Sequence, residues 1–238
     1  RPSPVPALSP SCSEGTDMTS QHVEASQSAP DRAAAPKRRF SLVRTLVLAD
    51  VITLGNAFAG MGAILASMSY VATGERAALM AAFVLLPIAL ICDILDGSVA
   101  RWRRKSSPLG GDLDSLADIV SFGVAPAALG FALGLRGGWD ALALCFFVAC
   151  GIARLARFNV TAAALSGPSG KVKYFEGTPI PTSMVLVAML GVLFALGLVG
   201  ERLWLGAVAL GPFVLHPLAL AYVASGALMI STVKIPKP

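Results

Sequence analysis

The chain has 238 residues, of which 55% are hydrophobic and only 14% are charged, and it carries a formal net charge of +5. Its mean hydropathy of +0.71 is too high for an ordinary soluble domain, so that class is excluded. The basic excess comes without the interleaved aromatic residues of a nucleic-acid platform, so we expect no nucleic acid as partner. The composition predicts an all-α integral membrane protein.

The N-terminal part of the chain differs from the rest in composition. Residues 1–36 are rich in Pro, Ser and Ala and lack apolar periodicity, which predicts a disordered tail before one domain at residues 37–238. The chain begins with Arg1 rather than Met, so we expect a fragment, a processed form or a misassigned start, with Met18 as an alternative beginning. Residues 37–48 are basic and partly apolar, which predicts a short interfacial helix on the inner leaflet.

Apolar windows long enough to cross a bilayer, about 20 residues each, follow this segment. Six of them, at roughly residues 47–71, 78–99, 113–135, 139–160, 180–199 and 203–230, predict six transmembrane helices. Lys and Arg collect before the first window, after every second window and at the C-terminus, whereas the other loops hold only Arg76, Arg136 and Arg202. Because basic loops stay cytoplasmic, we predict a multi-pass protein of the cell (inner) membrane with both termini in the cytoplasm.

Four aspartates stand where the second window ends and the third begins. Asp93 and Asp96 are i,i+3 neighbours, and Asp114 and Asp118 are i,i+4 neighbours, so each pair projects from one face of its helix. Ionisable groups are costly in a membrane and mark functional sites. Four carboxylates at the cytoplasmic edge predict a site for two divalent cations, and oxygen ligands favour Mg²⁺ or Mn²⁺ over Zn²⁺.

Other polar residues near these aspartates have two interpretations each. Asp50, Thr53 and Asn56 share one face of the first helix, where they either form interhelical hydrogen bonds or line the site. Asp112 opens the third helix, and we interpret it as a helix cap rather than a ligand.

Two basic residues, Arg154 and Arg157, close the fourth window at the membrane level of the aspartates. Ordinary positive-inside anchoring would explain them, but their level favours binding of an anionic phosphate. Metal pairs clamp phosphate groups during displacement reactions. The residues alone therefore predict metal-dependent phosphoryl-type transfer on a membrane-bound substrate.

Residues 93–118 match the pattern D-x2-D-G-x2-A-R-x8-G-x3-D-x3-D at every fixed position and so resemble the signature of the CDP-alcohol phosphotransferase family. The resemblance implies a homodimeric six-helix enzyme that binds two divalent ions and a CDP-linked lipid. Carried over by position, it implies metal ligation by Asp93, Asp96, Asp114 and Asp118, with Asp118 also acting as the catalytic general base. It further implies a CDP-binding surface formed by Gly97, Ala100, Arg101 and Gly110.

Segments outside the signature, residues 53–60, 154–159 and 173–181, resemble the phosphatidylserine synthases of this family. That resemblance implies CDP-diacylglycerol and L-serine as substrates. The acceptor or phosphate site would then include Arg154, Arg157, Asn159 and Lys173. Two alternatives stay open: a sibling enzyme that uses glycerol 3-phosphate or an inositol phosphate, and an ion-coupled transporter.

Overall fold

The structure is a computed structural model that describes residues 48–103, 110–165, 174–176, 178–231 and 234–236. The predicted tail at residues 1–36 lies outside these ranges, and so does the predicted interfacial helix except for its last residue.

Helices make up most of the described chain. The α-helices are α1 (Leu48–Thr73), α2 (Arg76–Arg103), α3 (Gly110–Asp118), α4 (Ala125–Leu133), α5 (Gly138–Leu165), α6 (Met184–Ala195) and α7 (Ala219–Ile230). A π-helical turn, Ile119–Val124, joins α3 to α4, and 3-10 helices cover Ile180–Ser183 and Gly200–Arg202. Two antiparallel pairs of short strands complete the fold: β1 (Tyr174–Glu176) with β4 (Lys234–Pro236), and β2 (Val208–Leu210) with β3 (Phe213–Leu215).

The helices support the predicted class of membrane protein. Within the described residues, four helical stretches are long and apolar enough to cross a bilayer, and they correspond to the first four predicted windows. They are Asp50–Thr73, Arg76–Val99, Gly110–Leu133 and Gly138–Val160. Two further apolar helices, Ile180–Ala195 and Ala219–Ile230, are shorter. The chain is thus mainly helical and apolar, while six spans and cytoplasmic termini stay predictions.

The prediction of one continuous helix over residues 203–230 is wrong. Its first half contains the β2–β3 hairpin, and α7 begins only at Ala219. Gly211 has a φ of +65°, and together with Pro212 it forms the two-residue turn between the paired Leu210 and Phe213. Hydropathy reports how apolar a segment is, but this glycine and proline decide its backbone conformation.

The third membrane-spanning stretch is interrupted directly after Asp118. The backbone N–H of Ala125 donates to the carbonyl of Val120, five residues back, as a π-helix requires. The sequence predicts a kink at Pro126, whose ring lacks an N–H and clashes with the carbonyl four residues earlier. The π-turn ends two residues before the proline and accommodates this clash.

The first helix has two distinct faces. Its exposed apolar side chains recur every three or four residues and are suited to contact with lipid: Val51, Leu54, Phe58, Met61, Leu65 and Met68. Its opposite face is buried and carries Thr53 and Asn56, followed by the small residues Ala59, Gly60 and Ala63. The polar residues of α1 therefore face the other helices.

Gly60 sets the distance between α1 and the π-turn. A Cβ atom added there would lie 2.8 Å from the Cα of Ser121 and would collide with the Ser121 hydroxyl. The hydroxyl of Ser121 donates to the backbone carbonyl of Asn56 at 3.0 Å. Close approach of the two backbones and one buried hydrogen bond thus join α1 to the third membrane-spanning stretch.

At the end of the bundle where α5 begins, the buried carboxylate of Asp140 holds the β2–β3 hairpin against α5. It accepts hydrogen bonds from the backbone N–H groups of Gly137 at 2.8 Å and His216 at 2.7 Å. The ring Nδ1 of His216 lies 2.5 Å from the same carboxylate. His216 is therefore an anchor for the hairpin.

We predict that Gly60→Ala destabilises the protein, whereas Gly55→Ala does not. The methyl group at residue 60 must push the backbone of Ser121 away, and overpacking of this kind typically costs about 1–3 kcal/mol. At Gly55 the nearest atom to an added Cβ is the Cys92 Sγ at 3.8 Å, an ordinary contact. Thermal unfolding of both variants in detergent measures the difference, and equal melting temperatures would contradict the tight contact.

Candidate active site

Polar side chains from separate helices meet at one end of the bundle. Because successive spanning helices run antiparallel, the start of α1 lies beside the end of α2 and the start of α3. The end of α5 reaches the same level, since the Asn159 Oδ1 accepts a hydrogen bond from the Ser115 hydroxyl at 3.1 Å. This end contains all four predicted metal-binding aspartates.

Three of these aspartates form a compact cluster, which we call the carboxylate cluster: Asp93, Asp114 and Asp118. One carboxylate oxygen from each lies within 4.8 Å of the others. Asp118 is buried, and the other two are partly buried. The i,i+4 spacing places Asp114 and Asp118 one turn apart on α3, and Asp93 approaches from α2.

Asp96, the fourth predicted ligand, does not belong to this group of three. Its carboxylate is buried and accepts a hydrogen bond from the Thr53 hydroxyl at 2.7 Å. It still interacts electrostatically with Asp93 and Asp114. The structure thus gathers three of the predicted ligands and pairs the fourth with α1.

Asn56 also donates from α1 to this site. Its side chain is fully buried, and its Nδ2 lies 3.3 Å from the Asp118 Oδ1. Thr53 and Asn56 therefore form interhelical hydrogen bonds and also line the site, because the carboxylates that accept these bonds belong to the site. Both interpretations of the polar face of α1 hold for these two residues. The helical spacing of these residues was the sequence signal for this role.

The carboxylate cluster fits a divalent cation. The Oδ1 of Asp114 is buried and has no hydrogen-bond partner among the described residues. Several carboxylates close together in an apolar bundle repel one another, and a cation relieves that repulsion. An all-oxygen donor set suits a hard ion such as Mg²⁺ or Mn²⁺.

The residues predicted to form a CDP surface lie at the ends of the same two helices. Gly97 follows Asp96 on α2, Gly110 begins α3, and both are partly exposed. Ala100 and Arg101 continue α2 by one turn, and their side chains lie outside the described part of the structure. Asp112 is exposed in the first turn of α3 and is not in the carboxylate cluster.

The two arginines at the end of α5 have different surroundings. Arg154 is partly buried, interacts electrostatically with Asp118, and holds its guanidinium carbon 5.8 Å from the centre of the Phe158 ring. Arg157 is exposed, and its Nη2 donates to the Ile230 carbonyl at 3.3 Å. Arg154 therefore interacts with a member of the carboxylate cluster, and Arg157 contacts the end of α7.

Two more predicted residues complete this region. Asn159 is partly buried, and its Oδ1 accepts the hydrogen bond of Ser115, a residue outside the predicted site. Ser115 adjoins Asp114 and precedes Asp118 by one turn, and this adjacency was the available signal. Lys173 lies outside the described residues.

Comparison with known proteins confirms the resemblance found in the motif. The sequence profile described as CDP-alcohol phosphatidyltransferase matches residues 46–227, a region that contains the whole motif at residues 93–118. Helices α1 to α6 and most of α7 fall within the match.

Individual relatives from yeast and archaea are similar over long stretches. A CDP-diacylglycerol–serine O-phosphatidyltransferase of Saccharomyces cerevisiae is 44% identical over 206 residues, which cover 85% of this chain and 75% of that protein. One of the same name from Methanocaldococcus jannaschii is 34% identical over 148 residues, 62% of each chain. An archaetidylserine synthase of Methanothermobacter thermautotrophicus is 36% identical over 146 residues, 60% of this chain and 57% of that protein. This chain therefore belongs to the CDP-alcohol phosphatidyltransferase family.

Proposed function

We propose that this chain transfers the phosphatidyl group of CDP-diacylglycerol to the hydroxyl of L-serine and releases CMP. The observation that carries the proposal is the carboxylate cluster, which is built by the family signature at the end of an apolar bundle. Serine as acceptor is supported by the names of the relatives: the yeast and Methanocaldococcus proteins share one name, and the archaetidylserine synthase differs from them in the lipid part but also names serine.

In the proposed reaction, the serine hydroxyl oxygen attacks the β-phosphorus of CDP-diacylglycerol. A new oxygen–phosphorus bond forms, and the bond from that phosphorus to the oxygen that bridges it to the α-phosphate breaks, so CMP leaves with the bridging oxygen. Asp118 accepts the serine proton. A positioned general base contributes about 10²–10⁴-fold to the rate.

The four aspartates Asp93, Asp96, Asp114 and Asp118 would hold two divalent cations, Mg²⁺ or Mn²⁺. When bound, these ions supply charge neutralisation for the phosphates and orient the attacking and leaving oxygens. The chain itself contributes the rigid placement of the carboxylates on α2 and α3, which is one source of catalytic effect.

Substrate binding is assigned to the residues around the cluster. The small residues Gly97, Ala100 and Gly110 would keep the surface of α2 and α3 open to the nucleotide. Arg101 would be its cationic partner. The acceptor or phosphate site is assigned to Arg154, Arg157, Asn159 and Lys173, because guanidinium groups pair well with carboxylates and phosphates.

The proposed enzyme is a homodimer in the cell membrane, with its active site facing the cytoplasm. The distribution of Lys and Arg supports this orientation. The site lies at one end of the bundle, next to apolar helix faces that suit the acyl chains of a lipid substrate. The dimer is proposed from the family resemblance.

An assay of CMP release identifies the alcohol that accepts the phosphatidyl group. The purified full chain in detergent is incubated with CDP-diacylglycerol, Mg²⁺ or Mn²⁺ and one acceptor at a time. We expect release with L-serine and none with glycerol 3-phosphate or an inositol phosphate, and we expect a chelator to stop it. Release with another acceptor instead of serine would assign the chain to a sibling activity. Turnover without divalent ions would contradict the metal site, and no turnover of the lipid would favour the transporter.

Asp118→Asn is expected to lower kcat by about 10²–10⁴-fold, because the amide cannot accept the serine proton. Asp112→Asn is the matched control: this aspartate is exposed in the first turn of the same helix, outside the carboxylate cluster. Single-turnover rates and thermal unfolding separate chemistry from folding. Full turnover by Asp118→Asn would rule out its role as the base.

Arg154→Ala and Arg157→Ala are each expected to raise the KM for serine or for CDP-diacylglycerol by roughly 10–100-fold, the effect of losing a hydrogen bond to a charged group. Arg136→Ala is a suitable control, because Arg136 also lies over an aromatic ring, Phe131 at 5.7 Å, but at the opposite end of the bundle. If either substitution leaves both KM values unchanged, that arginine does not bind substrate.

A further inference from the structure

We infer that α1 supplies two positioning residues for the metal site: Asn56 orients Asp118, and Thr53 orients Asp96. The inference rests on the proposed metal-dependent transfer, and it assigns a role to residues outside the family signature. Neither residue need touch a substrate, since each acts through the carboxylate to which it donates.

The contacts that carry the inference cross between helices. The Asn56 Nδ2 donates to the Asp118 Oδ1 at 3.3 Å, and the Thr53 hydroxyl donates to the Asp96 Oδ2 at 2.7 Å. Asn56 and Thr53 are both buried and lie one helical turn apart. One face of α1 therefore reaches two of the four aspartates, one on α3 and one on α2.

The orientation of the Asn56 amide argues against a role in packing alone. Its Oδ1 is buried and has no hydrogen-bond partner among the described residues. A buried acceptor without a partner is unfavourable, and an apolar side chain of similar size would avoid that cost. With the amide rotated, its oxygen would face the Asp118 oxygen, so the observed orientation serves the carboxylate.

A hydrogen bond from another helix also holds the backbone of Asn56. The Ser121 hydroxyl donates to the Asn56 carbonyl at 3.0 Å, and Gly60 lets the backbone of Ser121 approach α1. Ser121 lies in the π-turn that follows Asp118. The segment that begins at the proposed base therefore contacts Asn56 both through Asp118 and through Ser121.

Neutral hydrogen-bond donors are suited to orienting a carboxylate that binds a metal. Outer hydrogen-bond partners fix the direction in which a carboxylate presents its remaining lone pairs to a metal. A Lys or Arg in the same place would add positive charge and compete with the cation. An amide and a hydroxyl orient Asp118 and Asp96 while leaving their negative charge available.

Mn²⁺ binding to the purified full chain in detergent, followed by electron paramagnetic resonance, tests this inference without a need for turnover. We expect Asn56→Leu and Thr53→Val, which keep side-chain size but remove the donors, to weaken Mn²⁺ binding by about 10–100-fold, as loss of outer-shell partners does. Thr53→Ser keeps the hydroxyl and is expected to bind Mn²⁺ more tightly than Thr53→Val.

Ser67→Ala is the matched control, because Ser67 is buried on the same helix and its hydroxyl bonds only the local carbonyl of Ala63 at 2.8 Å among the contacts described. It should bind Mn²⁺ like the unmodified chain. If Asn56→Leu and Thr53→Val also bind it with unchanged affinity, the inference is overturned while the proposed function stands. If the unmodified chain binds no Mn²⁺, both the metal site and the inference fail.

Discussion

Negative charge buried between apolar helices is the constraint on which this structure depends. Asp96 and Asp118 are buried, and Asp93 and Asp114 are only partly exposed. Isolated charges in such surroundings are strongly unfavourable, so they require hydrogen bonds, opposite charge or metal. The chain meets this requirement with Thr53, Asn56 and the nearby Arg154. The Asp114 Oδ1 has no hydrogen-bond partner among the described residues, so it is available to a cation.

Close helix packing makes these hydrogen bonds possible. Short amide and hydroxyl side chains bridge two helices only if the backbones approach closely, and Gly60 permits this approach at Ser121. The π-turn belongs to the same arrangement, because it begins right after Asp118 and ends two residues before Pro126. The π-turn and the position of the Asp118 carboxylate thus belong to the same local structure.

The polarity of the helices suits a lipid substrate with a charged head. On α1, apolar side chains line the exposed face along the helix, while the polar residues on the buried face are concentrated toward its first turns. A lipid whose acyl chains lie beside such helices would bring its phosphates to the end where the aspartates lie. The same division is seen on α5, where Arg154, Arg157 and Asn159 follow a long apolar stretch.

The sequence by itself determined the membrane class, the four long apolar helices and the pairing of aspartates on their helices, because hydropathy and helical spacing are local properties of the chain. Asp114 and Asp118 share a face whatever surrounds them. Only the tertiary structure decided that Asp96 pairs with Thr53, that Asn56 holds Asp118, and that Ser115 meets Asn159, because these contacts join residues more than 40 positions apart. It also decided that the hairpin at residues 208–215 packs against the start of α5, since Asp140 binds the backbone of His216, whereas the turn at Gly211 and Pro212 is a local property of the chain.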